Sequence, residues 1–127
     1  MREPLRSHEP AASYHELRAW QQAIRLTETL GPLTAALHRS ERRALGDQLM
    51  RAATSVHANT AEGSGRAGRR DMLRFLTIAW SSLLEVESHL VEAASIPRCP
   101  RALVSDARAE ARRAGILLAA LRRSLST

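Results

Sequence analysis

The chain is 127 residues long, 44% apolar but only 3% aromatic, and carries 19 basic against 13 acidic side chains for a net charge of +6. That length holds one domain with its own core, the bias toward Ala, Leu, Arg and Glu is that of a helical bundle, and the positive balance favours an anionic partner such as RNA, DNA or an acidic protein face. A lone Cys99 excludes an internal disulfide, the opening MREPLRSHEP lacks the apolar core of a signal peptide, and no run approaches the roughly 20 apolar residues of a membrane span, so a cytoplasmic protein without membrane contact is expected.

Residues 1–13 mix Pro, Glu, Arg and His without period and read as a flexible N-terminal tail, leaving 14–127 as the folded domain. Ser13 is placed to cap a first helix over about 14–38, with Glu16 at its positive end. Its apolar row is Leu17, Trp20, Ile24, Thr27, Leu30, Leu33 and Leu37, at steps of three and four. Gly31-Pro32 interrupts the row, but the phase resumes beyond it, which predicts one kinked helix rather than two. Ser40, followed by Glu41, is the expected cap of a second helix over about 41–63. Leu45, Leu49, Ala52, Val56 and Thr60 form its apolar face, and the small residues Ala52, Ala53, Ser55, Ala58 and Ala61 let another helix come close. Gly63, Gly65 and Gly68 are read as stopping this helix through left-handed backbone.

The third helix is expected over about 69–95. Met72, Leu76, Ala79, Leu83, Val86, Leu90 and Ala93 make a heptad stripe, and Leu73, Trp80, Leu84 and Val91 make a second stripe beside it. One small bundle hides only the first stripe, so Leu73, Trp80 and Leu84 are assigned to a subunit interface. After the proline-bounded Ile96-Pro97-Arg98-Cys99-Pro100, a fourth helix over about 100–125 carries Leu103, Ala107, Ala111, Ala114, Leu118, Leu121 and Leu125. Four helices with short connections predict an all-α, antiparallel up-down four-helix bundle.

The pattern resembles the 23S rRNA intervening sequence protein family. The likeness runs from Tyr14 to about Leu125 and rests on Leu17, Trp20, Glu41, Leu45, Gln48-Leu49, Arg51-Ala52-Ala53 and Ser55. Its most specific part is Asn59-Thr60-Ala61-Glu62-Gly63 followed by Arg66, and it continues through Phe75-Leu76, Ile78-Ala79, Ser82-Leu83 and Glu85. His57, Thr60, Ser64, Gly68 and the Gly31-Pro32 pair depart from the usual pattern. The resemblance implies a four-helix subunit and a homopentameric ring. It also implies a kinship with accessory proteins of diversity-generating retroelements, which are basic pentamers that bind nucleic acid and a reverse transcriptase. No enzymatic activity is established for the family, so a non-enzymatic accessory or scaffold role is expected.

The residues themselves support a limited set of chemistries. All 19 basic residues are arginine, which reads first as base composition and second as selection for forked phosphate contact. Gly63-Ser64-Gly65-Arg66-Ala67-Gly68 spells G-x-G-x-x-G, but a helix precedes it and no βαβ pattern surrounds it, so it is not a dinucleotide site. The same turn presents Arg66, Arg69 and Arg70 beside a helix start, a candidate phosphate contact. Arg108, Arg112 and Arg113, with Arg39, Arg42 and Arg43, extend the candidate nucleic-acid surface. Arg51, Asn59 and Glu62 are read as structural polar residues, with Glu62 requiring an arginine or backbone partner because it opposes the helix dipole. None of the five histidines has a glutamate three residues before it, so no bundle metal site, cofactor or catalytic residue is expected. Two function classes follow: a scaffold that binds nucleic acid or a ribonucleoprotein, and a protein-interaction oligomer whose basic surface contacts no nucleic acid.

Overall fold

The computed structural model describes residues 10–126 and consists of four helices, α1 Pro10–Arg39, α2 Arg43–Ser64, α3 Arg69–Ala94 and α4 Arg101–Ser126. Among these residues there is no strand. Each helix packs on its two neighbours in the order α1–α2–α3–α4–α1, and the diagonal pairs α1/α3 and α2/α4 face each other across the core. The result is an antiparallel four-helix bundle, and its α3–α4 seam is the loosest of the four. Residues 1–9, most of the expected tail, lie outside the described residues. The helix already runs from Pro10, so Ser13 sits within α1 and does not cap it.

One core runs the length of the bundle. The expected rows of α2 and α3 are buried in full, from Leu45 to Thr60 and from Met72 to Ala93. In α4 the row from Ala107 to Leu125 is buried, and Val104 takes the fully inward place expected of Leu103. In the first half of α1 the expected row is one residue out of phase. Glu16, Ala19, Ala23 and Leu26 are buried, whereas Leu17 is 38% exposed and Trp20, Ile24 and Thr27 are half-buried. The interior here takes alanine, which brings the backbones together, and the larger side chains flank it. From Leu30 onward the phases agree, through Leu33 and Leu37. Pro32 lies inside one continuous α1 and is exposed, so the carbonyl it leaves without a helical donor is on the water side.

The ends of α2 differ from expectation at both places. Ser40 does not cap it; its hydroxyl donates back to the Ala36 carbonyl at 2.8 Å. The start of α2 has Arg42 as its first flanking residue, without a side-chain cap bond. Ser40 instead belongs to the end of α1, where the Glu41 amide donates to the His38 carbonyl (3.3 Å) and the Arg42 amide to the Leu37 carbonyl (2.8 Å). This is a Schellman closure, and it places Glu41 in the left-handed region at φ 63°. No glycine among the described residues has positive φ. Gly63 is a helical residue, buried because a Cβ there would stand 3.3 Å from the Met72 carbonyl oxygen and 3.3 Å from the Phe75 Cβ. It permits close approach of α2 and α3 rather than a chain reversal. The seam is stitched further by Ser55 and Ser82, whose hydroxyls are 2.7 Å apart.

Candidate nucleic-acid interface

The glycine turn carries acids among its arginines. The Arg66 guanidinium donates to the Glu62 carboxylate one turn earlier and stands 3.8 Å from Asp71. Asp71 also takes a bond from Arg74 Nε at 3.2 Å. Arg66 and Arg74 each lie 4.6 Å from the Phe75 ring centroid, so the ring is flanked by two cations and two carboxylates. All four charged side chains are substantially exposed, and such pairs contribute at most about 1 kcal/mol each. Their larger effect is to cancel charge locally. Arg69 and Arg70 are exposed at the start of α3.

The polar residues of α2 separate in the same way. The Asn59 amide donates to the Ser55 carbonyl at 2.9 Å and to its hydroxyl at 3.0 Å, joining the Ser55–Ser82 contact. Thr60, fully buried, returns its hydroxyl to the Val56 carbonyl at 2.7 Å. Glu62 has Arg66 as its partner. Arg51 has an exposed side chain two turns earlier and does not enter this network. Burial lowers the pKa of the neighbouring His57 below its ordinary 6.5.

Along α4 the three expected arginines face two ways. Arg113 donates to Glu110 at 2.9 Å, and Glu110 is in turn held by the Gln22 amide of α1 at 2.6 Å, so this side chain belongs to the α1–α4 seam. Arg108 and Arg112 face the α3–α4 seam. With Arg101 they line a depression of ≈ 490 Å³ walled by Ala94, Cys99 and Val104, and no carboxylate lines it. None of these three arginines makes an ion pair among the described residues. They stand seven and four residues apart, about 10 and 6 Å along the helix axis. Glu87 and Val91 of α3 border the row where Arg108 and Arg112 continue. Cys99 forms part of the wall, and burial pushes its thiol pKa up, away from nucleophilic use.

A second basic concavity lies beyond this connection. Arg39 and Arg42, flanking the α1–α2 turn, meet Arg98 of the α3–α4 connection around a groove of ≈ 550 Å³. Arg43, next in the chain, sits 3.5 Å from His38 Nδ1, while His38 Nε2 is 2.9 Å from Asp47. Arg98 and Arg101 are the residues that sequence reasoning did not single out. The signal available was parity: in an up-down bundle the first and third connections share an end.

The sequence model of the 23S rRNA-intervening sequence protein family matches residues 15–120. The chain belongs to this family. The match covers both basic concavities, the α2–α3 turn and all but the last residues of α4. No curated protein matches the sequence. Within this family member the intended interface stripe is graded. Leu73 and Trp80 are half-buried against their own core, with Arg122 5.5 Å from the Trp80 ring, whereas Leu84 and Val91 are 51% and 59% exposed. No helix among the described residues is long and apolar enough to cross a membrane.

Proposed function

We propose that this family member is a non-enzymatic, homo-oligomeric basic scaffold that binds nucleic acid through phosphate, with α4 as the principal contact. The supporting observation is the row of Arg101, Arg108 and Arg112 in a depression whose own lining holds no acid, with Glu87 at its α3 border. Three guanidinium groups on one rigid helix present forked donors at intervals that a flexible strand can follow. No base-reading aromatic residue lines the row, so contact is through the backbone and independent of sequence. Arg69 and Arg70 add to the field from the other end of the bundle, and Arg66 contributes less because Glu62 and Asp71 already balance it. A ring of such subunits, pentameric by the likeness described above, multiplies weak contacts into useful affinity. A reverse transcriptase or another ribonucleoprotein component is the protein partner this reading proposes.

Fluorescence anisotropy with single- and double-stranded RNA and DNA across a salt series tests it. Changing Arg101, Arg108 and Arg112 to Gln is expected to weaken binding and to flatten the plot of log affinity against log salt by about 2 to 3, at 0.7 to 0.9 per lost phosphate contact. The corresponding change at Arg66, Arg69 and Arg70 is expected to have the smaller effect. An unaltered slope in the α4 variant removes the assignment. Absence of binding to every nucleic acid at low salt favours the protein-interaction oligomer, the reading suited to the acids interleaved around Arg66.

A further inference from the structure

We propose that Arg39, Arg42 and Arg98 form a site for a phosphate monoester, filled by the terminal phosphate of a strand led there along α4. The polymer's identity rests on the nucleic-acid reading above; the phosphate chemistry does not. Three arginines, one closing α1, one in the α1–α2 turn and one in the α3–α4 connection, converge on one groove, and none makes an ion pair among the described residues. Glu41 is the one acid in its lining. Three guanidinium groups against one carboxylate leave two positive charges, which match a monoester near its full ionisation of about −2. An internal diester, with a single charge, matches only half of this. The beginning of α2 lies beside the groove without a side-chain cap or an acid in its first turn, so the positive end of its dipole adds to the field.

Position supports the same occupant. The α3–α4 connection walls both concavities, with Cys99 on the α4 side and Ile96, Pro97 and Arg98 on the groove side. A strand lying on Arg112, Arg108 and Arg101 therefore reaches Arg98 next, at the end of the bundle. The α4 row is linear and open, suited to successive diesters. The groove gathers its three guanidinium groups around a single concavity, suited to one end group.

The full chain is titrated with a single strand bearing a terminal phosphate, at the 5′ end or the 3′ end, and with the same strand ending in hydroxyls. Inorganic phosphate alone is titrated by calorimetry against chloride at matched ionic strength. A terminal phosphate at one end is expected to tighten binding about fivefold, as added charge-assisted bonds allow. This preference should vanish in the R42Q/R98Q double variant, and E41Q should enlarge it. Helicity by circular dichroism should be unchanged, since these exposed side chains carry no core contact. If no strand binds but inorganic phosphate binds the parent chain and not R42Q/R98Q, the site stands and the nucleic-acid reading falls. If strands bind without end preference while phosphate binding is lost in the double variant, the occupant is free phosphate. Equal binding of all strands with no heat from phosphate, or phosphate binding that survives in R42Q/R98Q, overturns the proposal.

Discussion

His57 is a half-buried imidazole on α2 whose neutral form the fold favours. Burial lowers its pKa from 6.5, so below that pH the unfolded chain binds a proton that the folded chain resists. The unfolded state then holds more protons, and stability rises with pH through this window. Full stability from this residue is present above pH 6.5 and declines as pH falls toward the lowered folded value. Urea unfolding at pH 5 and at pH 7.5 should show this loss in the parent chain and a smaller one in His57→Gln. An equal loss in both would assign the acid sensitivity to other groups. Glu41 is a different local matter. Its left-handed backbone costs about 1–2 kcal/mol for an L-residue, and the Schellman bonds that end α1 hold it there.

The contact between α2 and α3 decides the effect of changing a helical glycine. Gly31 and Gly63 both lie inside helices, where alanine is ordinarily favoured by about 1 kcal/mol. At Gly31 nothing outside its chain neighbours stands within 4 Å of an added Cβ, but the Cδ of Pro32 follows directly and disfavours helical backbone for a residue that carries a Cβ, so Gly31→Ala should stabilise by clearly less than that amount. At Gly63 the new methyl meets a carbonyl in the first turn of α3 and the Cβ of Phe75, neither of which moves without moving the helix. Overpacking costs about 1–3 kcal/mol and outweighs the propensity gain, so Gly63→Ala should be destabilising. Parallel thermal and urea melts check the pair; stabilisation by both would show that the α2–α3 seam yields. These elements also show what was legible in sequence. Period and phase placed α2, α3 and most of α4, because leucine and valine rows on an otherwise polar surface leave one choice of inward face. They misplaced the first half of α1, where alanine fills the core and tryptophan sits at its edge. Caps were misread because Ser13 and Ser40 carry the right side chain without the right backbone position, and Gly63 because a glycine needed for proximity looks the same in sequence as one needed for a turn.

At the scale of the molecule, exposed apolar area and basic charge occupy adjoining parts of the α3–α4 face. Leu84, Val91 and Ile116 are each more than half exposed. Of the residues assigned to the interface, Leu73 and Trp80 pack partly on their own core and Leu84 is exposed, so the oligomer reading expects Leu84 and its stripe neighbour Val91 to be covered by a second copy. Light scattering at micromolar concentration should return a multiple of the 14.0 kDa chain, and L84E/V91E should reduce it to one chain with helicity intact. A monomer mass for the parent would end that reading. The candidate site was legible in part. Sequence named Arg108 and Arg112 and the arginines flanking the first turn, but put Arg66 ahead of them and Arg113 level with Arg108 and Arg112. Their acidic partners, Glu62 and Asp71 for Arg66 and Glu110 for Arg113, were visible as residues, but how closely each is engaged depends on side-chain direction around the helix, and that emerges only with packing.

The even number of helices has a practical consequence. The start of α1 and the close of α4 lie at the end of the bundle that holds the α2–α3 turn, whereas the Arg39–Arg42–Arg98 groove is at the opposite end. A tether, dye or fused domain attached at either of those helix ends therefore sits a bundle's length away from the groove. Four-helix subunits anchored to a surface by such a tag would all point the groove outward, toward whatever arrives from solution.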